Sequence, residues 1–123
     1  MKELEFLKCE KCGKIIFHFK GDKVKTCHGK PMIALVANTV DAAVEKHKPV
    51  VIVDGNKVEI RVGETLHPMI AEHYIEFVVM ETDRDFETHE FKPGDAPIAY
   101  FTLAGDKKFV KAYAYCNLHG LWS

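Results

Sequence analysis

The sequence predicts an all-β sandwich that follows a small N-terminal segment containing cysteines. From residue 32 onward, short runs of alternating or β-branched residues recur, and turn residues separate them. Several short strands at such spacing are typical of an antiparallel sandwich. No run between these strands is long enough for the crossover helices of a parallel α/β sheet. With 123 residues, 47% hydrophobic and 28% charged, the chain has the composition of an ordinary soluble domain.

The N-terminal segment is assigned to residues 1–31 and the sandwich to residues 32–123. Three of the four cysteines fall in the first segment, which closes at Pro31. Two short extended pieces are predicted there, and a turn at Gly21-Asp22 should fold the second piece back on the residues that follow. The two pieces are Leu4–Leu7 and Ile15–Phe19, and the residues that follow the turn are Val24–Thr26.

A β-hairpin is predicted within residues 49–62. A β-branched run precedes the turn signal Asp54-Gly55, and a strict alternation of apolar and charged residues follows it. The apolar members should face the core while their charged neighbours face water. The inward residues are Val58, Ile60 and Val62. Further strands are predicted over residues 73–82, 97–103 and 108–116.

One stretch before the hairpin is predicted to be helical. Asn38 or Thr39 is a suitable N-cap for a short helical turn through Ala42 and Ala43. Pro49 requires this turn to end before it.

Charge and hydropathy exclude several functional classes. Seventeen basic and eighteen acidic residues give a net charge of −1, so no basic surface for nucleic acid is expected. No apolar run has the length of a membrane span, and the N-terminus lacks the apolar stretch of a secretory signal. We therefore expect a cytoplasmic protein, in which cysteines are metal ligands or catalytic groups rather than disulfides.

Histidine and cysteine recur at the predicted strand ends and in the loops. For any one of them, the simpler interpretation is a satisfied core group or a surface residue. As a set, they predict that one end of the sandwich holds a metal ion. The set is His47, His67, His73, Cys116 and His119. His18 and His89 lie in alternating or charged stretches and are interpreted as surface residues.

The donor types narrow the choice of metal. Imidazole and thiolate together favour zinc, copper or iron over magnesium and calcium. Five ligands are one too many for a tetrahedral structural zinc. Four nitrogens in a plane with a sulfur below would suit a five-coordinate ferrous ion with one open position. The thiolate would push electron density onto the iron and so onto whatever binds opposite.

The sequence resembles the superoxide reductase family, the neelaredoxins and desulfoferrodoxins of anaerobes. Three separated motifs carry the resemblance, which covers residues 32–123: Asn38-Thr-Val-Asp-Ala-Ala-Val-Glu-Lys-His-Lys-Pro, His67-Pro-Met with His73-Tyr, and Cys116-Asn-Leu-His-Gly-Leu-Trp. The resemblance implies an immunoglobulin-like, seven-stranded β-sandwich with a mononuclear iron. It places His47, His67, His73 and His119 in the plane of the iron and Cys116 on the axis.

The resemblance also implies the reaction and its partners. Superoxide reductases transfer one electron from ferrous iron to superoxide, which leaves with two protons as hydrogen peroxide, and no dioxygen is made. Glu45 matches the carboxylate that coordinates ferric iron, and Lys46 matches the lysine that attracts the anion and assists protonation. By position alone, this Glu-Lys pair would be interpreted as a solvated charge pair. A rubredoxin-like protein is the expected electron donor, and related reductases form homodimers or homotetramers.

A second group of donors lies in the N-terminal segment. Cys9 and Cys12 form a CxxC pair, and Cys27 is followed directly by His28. Desulfoferrodoxins hold a second iron there with four cysteines, the last two adjacent, so His28 stands where the fourth would be. Three interpretations follow: a Cys3His zinc site, an altered iron site, or a degenerate site with free thiols.

Two other functions compete with the reductase. A cupredoxin-like blue-copper electron carrier would use His67, Cys116 and His119, but no methionine follows His119 to complete the copper site. It would also leave His47 and His73 without a role. The third interpretation is a non-catalytic, zinc-stabilised interaction module.

Overall fold

Short β-strands make up most of the regular structure. The computed structural model describes residues 3–21, 25–39, 42, 44–63 and 67–123, and for Glu45 the backbone only. The strands are β1 (Leu4–Lys8), β2 (Ile15–Phe19), β3 (Thr26–Cys27), β4 (Lys30–Pro31), β5 (Ile33–Leu35), β6 (Pro49–Asp54), β7 (Lys57–Val62), β8 (Ile75–Thr82), β9 (Phe86–Glu90), β10 (Ile98–Thr102), β11 (Phe109–Cys116) and β12 (Gly120–Trp122). One helical turn, α1 (Val44–His47), precedes β6. Within these ranges, no helix has the length and apolar character needed to cross a membrane.

The contacts divide the chain into two compact units, Met1–Val36 and Ala37–Ser123. In the first unit, β1 is the central strand of an antiparallel sheet in the order β2-β1-β5. The pairing of β5 with β1 keeps residues 33–35 with the first unit, whereas the sequence places the boundary after Pro31.

The first unit also contains a small hairpin that the sequence analysis misassigned. The prediction that Thr26 pairs with the second strand is wrong, because Thr26 pairs with Pro31 in the β3–β4 hairpin. The tight turn at His28-Gly29, where both residues have positive φ, places β4 beside β3. Asp22 and Val24, which also belong to that prediction, lie outside the described residues.

The second unit is a seven-stranded β-sandwich, as expected. One sheet has the order β10-β7-β6 and the other the order β12-β11-β8-β9. Both sheets contribute side chains to one core, and this shared burial is what holds two sheets face to face. The core residues are Val58, Ile60, Val62, Ile75, Val78, Met80, Phe91, Ala99, Phe101, Leu103, Ala112, Ala114 and Cys116.

The β6–β7 hairpin confirms the prediction from alternation. Its strands pair from Pro49 opposite Val62 to Asp54 opposite Lys57, and Gly55 adopts the positive φ of 59° that the turn requires. Every inward residue of β7 is buried, and each contributes about 1.5–3 kcal/mol through removal of apolar surface from water. The open end of this hairpin positions the site described below.

The predicted helix differs from the observed one. Helix α1 begins only at Val44, Ala42 lies in a bend, and Ala43 is outside the described residues. Asn38 does not cap the helix, because it has a φ of 64° and its side-chain oxygen accepts a hydrogen bond of 3.1 Å from the Ser123 N–H. The tertiary contact to Ser123 therefore overrides the local capping preference. The helix ends at His47, before Pro49, as predicted.

Candidate metal centre

The β6–β7 hairpin presents two histidines at its open end. His47 closes α1 just before β6, and the Lys48 N–H donates to Val44 O at 3.0 Å to complete that helical turn. His67 follows β7, and its N–H donates to Val62 O at 3.2 Å. The two imidazole centroids lie 4.6 Å apart. One sheet thus positions two of the donors, both at the open end of the β6–β7 hairpin.

The other sheet supplies the remaining donors. His73 precedes β8 and forms a β-bridge with Ile70. Cys116 is the last residue of β11, and His119 lies in the turn between β11 and β12. The structure therefore brings together all five residues predicted for the site, with ligand atoms within 4.8 Å of one another.

The four imidazoles form a closed ring. Neighbouring centroids are separated by 4.6 Å for His67–His73, 5.0 Å for His73–His119 and 4.8 Å for His119–His47. Each ring meets the next at a steep angle, between 74° and 87°. His47 and His73 face each other across the ring at 6.3 Å. Cys116 joins this ring, with its Sγ 3.9 Å from His119 Nδ1. Four nitrogens and a sulfur thus lie close enough together to bind one ion.

The hydrogen bonds of the imidazoles fit a bound cation. His67 Nδ1 lies 2.7 Å from Pro68 O and donates to it, which leaves the lone pair on Nε2. Within the described residues, His67 Nε2 and His73 Nε2 are buried and have no hydrogen-bond partner. A buried nitrogen without a partner is costly, and a metal ion is the partner that suits a neutral imidazole. The donor set, four imidazoles and a thiolate, is suited to iron, copper or zinc.

Burial sets the protonation of these groups. It lowers the pKa of His67 to about 4, and it also lowers the pKa of His73. Both imidazoles are therefore neutral at pH 7, with lone pairs available for a metal. Burial raises the pKa of the Cys116 thiol, because a thiolate is poorly solvated there. A cation beside the sulfur would reverse that effect and hold Cys116 as the thiolate.

The charged neighbours predicted from the sequence lie on α1. Lys46 is exposed, and its positive charge is among the causes that lower the pKa of His73, so its field reaches the donors. The Glu45 side chain lies outside the described residues. His18 and His89 are not members of the cluster: His18 is half-buried beside Glu5, and His89 is exposed on β9.

Two residues that the sequence analysis missed orient the ligands. Asn117 accepts a hydrogen bond of 3.0 Å from the Tyr74 N–H and donates one of 3.0 Å to Glu72 O, which ties the loop of His73 to the end of β11. Trp122 donates from Nε1 to His119 O at 3.0 Å and stacks on the His47 ring at 5.0 Å. Asn117 is adjacent to Cys116 and Trp122 is three residues after His119, and this proximity in the sequence is the signal that could have identified both residues.

The second group of donors also assembles. Ligand atoms of Cys9, Cys12, Cys27 and His28 lie within 4.8 Å of one another. Cys9 is buried, whereas Cys12 and His28 are exposed. None of the four cysteines of the chain is in a disulfide.

Nothing in this geometry supports the blue-copper alternative. A cupredoxin site would use two histidines and one cysteine, yet His47 and His73 belong to the same cluster as His67, Cys116 and His119. A function assigned to this cluster must therefore use all four imidazoles.

Comparisons with known proteins agree with the site. The family model described as Desulfoferrodoxin matches residues 39–123. A desulfoferrodoxin homolog of Archaeoglobus fulgidus is 42% identical, covering 97% of this chain and 94% of its own length. A superoxide reductase of Pyrococcus furiosus is 30% identical over 74% of this chain and 94% of its own length. The crystal structure of the superoxide reductase from Treponema pallidum matches with a TM-score of 0.83 and 36% identity, covering 98% of each chain. The chain belongs to the desulfoferrodoxin family.

Proposed function

We propose that this protein is a superoxide reductase whose iron is held by His47, His67, His73, Cys116 and His119. The observation that carries the proposal is the closed ring of four imidazoles with a cysteine sulfur beside it. Proteins similar to this chain over most of its length are named superoxide reductases. When bound, the iron supplies one electron and passes from ferrous to ferric, while superoxide and two protons become hydrogen peroxide.

The donors of this chain determine the charge at the site. Neutral imidazoles add none, so the Cys116 thiolate is the one anionic donor of the five. A divalent ion in this set keeps a net positive charge of one, which attracts the superoxide anion. The thiolate donates electron density to the metal, which favours release of an electron.

Two charged residues beside His47 are assigned supporting roles. Lys46 raises the local concentration of superoxide through its positive charge and assists protonation of the product; its exposure and its electrostatic effect on His73 support this role. Glu45 is proposed, from the resemblance alone, as a ligand of the ferric ion.

Product analysis tests the reaction. Iron-loaded protein is reduced without oxygen and mixed with superoxide, and hydrogen peroxide and dioxygen are both measured. One peroxide per superoxide without dioxygen is expected, whereas a dismutase releases dioxygen. Cys116→Ser should lose most of the activity because its soft donor is gone. Dioxygen release by the native protein, or an unimpaired Cys116→Ser variant, would contradict the proposal.

The electron donor and the setting follow from the same proposal. We infer that a rubredoxin-like protein reduces the iron in the cytoplasm of an anaerobe. The unpaired thiols of all four cysteines support a reducing compartment. Reduction of the ferric protein by rubredoxin in a stopped-flow experiment tests the donor.

Assembly and the second donor group complete the proposal. We infer a homodimer or homotetramer, supported by β6, β9, β10 and β12, the outer strands of their sheets, which present edges to a second copy. Sedimentation analysis tests this. We also propose that the N-terminal unit, Met1–Val36, is a small domain with a bound zinc or iron, in addition to the iron of the sandwich. The proximity of three cysteines and a histidine supports the second metal.

A further inference from the structure

The N-terminal donor group contains a histidine at the position of its fourth ligand. We propose that Cys9, Cys12, Cys27 and His28 form a Cys3His zinc site, so that the chain carries one redox-active metal rather than two. This inference rests on the proposal that the group binds a metal, and it names the metal and its role. It does not depend on the reaction of the iron centre.

The separation of the sulfurs fits a tetrahedral ion. Cys12 Sγ and Cys27 Sγ lie 3.7 Å apart. Metal–sulfur bonds of about 2.3 Å in a tetrahedral site place two sulfurs about 3.8 Å apart. A disulfide would bring them to about 2.05 Å. The two thiols are thus spaced as ligands of one ion, and Cys9 and His28 lie close enough to complete it.

Two turns present the four donors in pairs. In the first, the Gly13 N–H donates to Cys9 O at 2.8 Å and the Cys9 N–H donates to Lys14 O at 2.9 Å, which closes the loop that carries Cys9 and Cys12. Gly13 has a φ of 79°, which only glycine adopts without strain. The loop therefore holds both sulfurs of the CxxC pair on one side.

The second turn presents Cys27 and His28. These residues belong to the β3–β4 hairpin, whose two-residue loop is His28-Gly29 with φ values of 52° and 74°. Such a loop favours asparagine or glycine at its first position, and a histidine there adopts a left-handed conformation at some cost. A ligand role gives a physical reason for histidine at this strained position.

The size of the unit provides an independent argument. The first compact unit spans Met1–Val36, and domains shorter than about 40 residues usually need a disulfide, a metal or a partner to fold. Its cysteines are unpaired. An ion shared by the Cys9–Cys12 loop and the β3–β4 hairpin would join two elements that belong to different sheets. Metal binding would then stabilise the unit directly.

The donor set selects zinc over iron. Three thiolates and one imidazole are a common ligand set of structural zinc. Zinc also binds such sites more tightly than ferrous iron does. Exchange of the fourth thiolate for a neutral imidazole removes one negative charge, which disfavours the ferric state and raises the reduction potential. Zinc in this site neither accepts nor donates electrons, so electrons would reach the iron of the sandwich directly.

Metal analysis of the full chain tests the proposal. The protein is produced in medium that contains both metals, purified without oxygen and measured by mass spectrometry. One zinc and one iron per chain are expected. Two irons per chain, or one iron and no second metal, would overturn the assignment. An inactive iron centre would contradict the reductase and leave this result unaffected.

Histidine variants test the fourth ligand. His28→Ala should weaken zinc binding at least about tenfold in competition with a chromophoric chelator, as loss of a ligand predicts. His18→Ala is the matched control, since His18 lies in the same unit outside the cluster, and it should retain the native affinity. Equal affinity in the two variants would contradict the ligand role.

A gain of colour provides a second readout. His28→Cys restores four thiolates, so this variant should take up iron and gain intense sulfur-to-iron absorption in the visible range. The native protein should show only the contribution of the single Cys116 thiolate at the iron of the sandwich. An equally intense band in the native protein would show iron in the Cys3His site and overturn the proposal. The iron content of the sandwich reports whether each variant is folded.

Discussion

His47 Nε2 and His119 Nδ1 lie 3.0 Å apart, although 72 residues separate them in the sequence. Two ring nitrogens at this distance share one proton, which one donates and the other accepts. A metal ion that binds both requires that proton to move to the other nitrogen of its ring, so this pair releases no proton. The Cys116 thiol must lose its proton to bind the ion, so metal binding at this centre should weaken as the pH falls.

Loss of one of these ligands should release the iron. His119→Ala is expected to lower iron affinity at least about tenfold, since loss of a group that only orients a ligand already costs that much. Iron content after competition with a chelator measures the effect. His89→Ala, at an exposed position on β9, is the control and should retain its iron. Similar iron content in both variants would show that His119 is not an iron ligand.

Removal of the positive charge of Lys46 should slow the capture of superoxide. Lys46→Ala is expected to lower the second-order rate up to about tenfold at low ionic strength and to flatten its salt dependence, because steering is screened by salt. Pulse radiolysis at several salt concentrations provides the measurement.

The matched control for Lys46 is Lys57→Ala. Lys57 donates to Thr102 at the closed end of the β6–β7 hairpin, the length of a six-residue strand from His67. This variant should keep the native rate and salt dependence. If Lys46→Ala and Lys57→Ala behave alike, Lys46 has no steering role.

The carboxylate of Glu45 should matter after the reaction rather than during it. Glu45→Ala is expected to leave superoxide reduction within about twofold of native while the ferric absorption spectrum changes, because a carboxylate ligand would be lost. Absorption spectra of the oxidised proteins provide the measurement. A ferric spectrum identical to the native one would exclude Glu45 as a ligand.

The metal-free protein should lose stability in mild acid. His67 has a pKa of about 4 when folded and 6.5 when unfolded, so below pH 6.5 the unfolded chain binds a proton that the folded chain excludes. The free energy of unfolding should therefore decrease as the pH falls from 6.5 to 4, by at most about 1.4 kcal/mol per pH unit for this histidine. Denaturant titrations should show a shallower dependence in His67→Ala. An equally steep dependence in that variant would contradict the assignment.

The stability of the sandwich depends on the inward face of β7. Ile60 is fully buried, so Ile60→Ala should lower the free energy of unfolding by about 2–5 kcal/mol. Ile52 lies on the neighbouring strand and is 49% exposed, so Ile52→Ala should change it by less than about 0.5 kcal/mol. Urea unfolding of both variants measures the difference. Equal losses of unfolding free energy in the two variants would contradict the assignment of Ile60 to the core.

Local sequence signals predicted the parts of the fold that local chemistry controls. The β6–β7 hairpin followed from the Asp54-Gly55 turn and the alternation after it, because register and burial there are set within a few residues. The five donors of the metal centre were found because each stands at a strand end, next to a turn or a proline. Residues at the ends of strands share one end of the sandwich, so their side chains can converge.

The wrong or missing predictions concern residues whose structure is determined by contacts that are distant in the sequence, or by elements too short to leave a pattern in it. Asn38 resembles an N-cap, but its side chain bonds Ser123, 85 residues away. Thr26 was paired with the wrong strand because the short β3–β4 hairpin offers only two residue pairs and little pattern. Strands β9 and β12 were missed: β9 is mostly polar and largely exposed, and β12 has three residues. Only pairing with β8 and β11 makes them strands.

The donors of the metal centre come from both sheets, and six strands, β6 to β11, separate His47 from His119 along the chain, which has a consequence for biosynthesis. A nascent chain that has emerged only as far as His73 can offer three imidazoles but neither Cys116 nor the facing His119. Ferrous iron bound to this incomplete set of ligands should then be held weakly and exchange with other chelators. The complete coordination sphere, and with it the reactivity of the metal, arises only when the later strands have docked, so maturation itself protects the cell from a half-made redox centre.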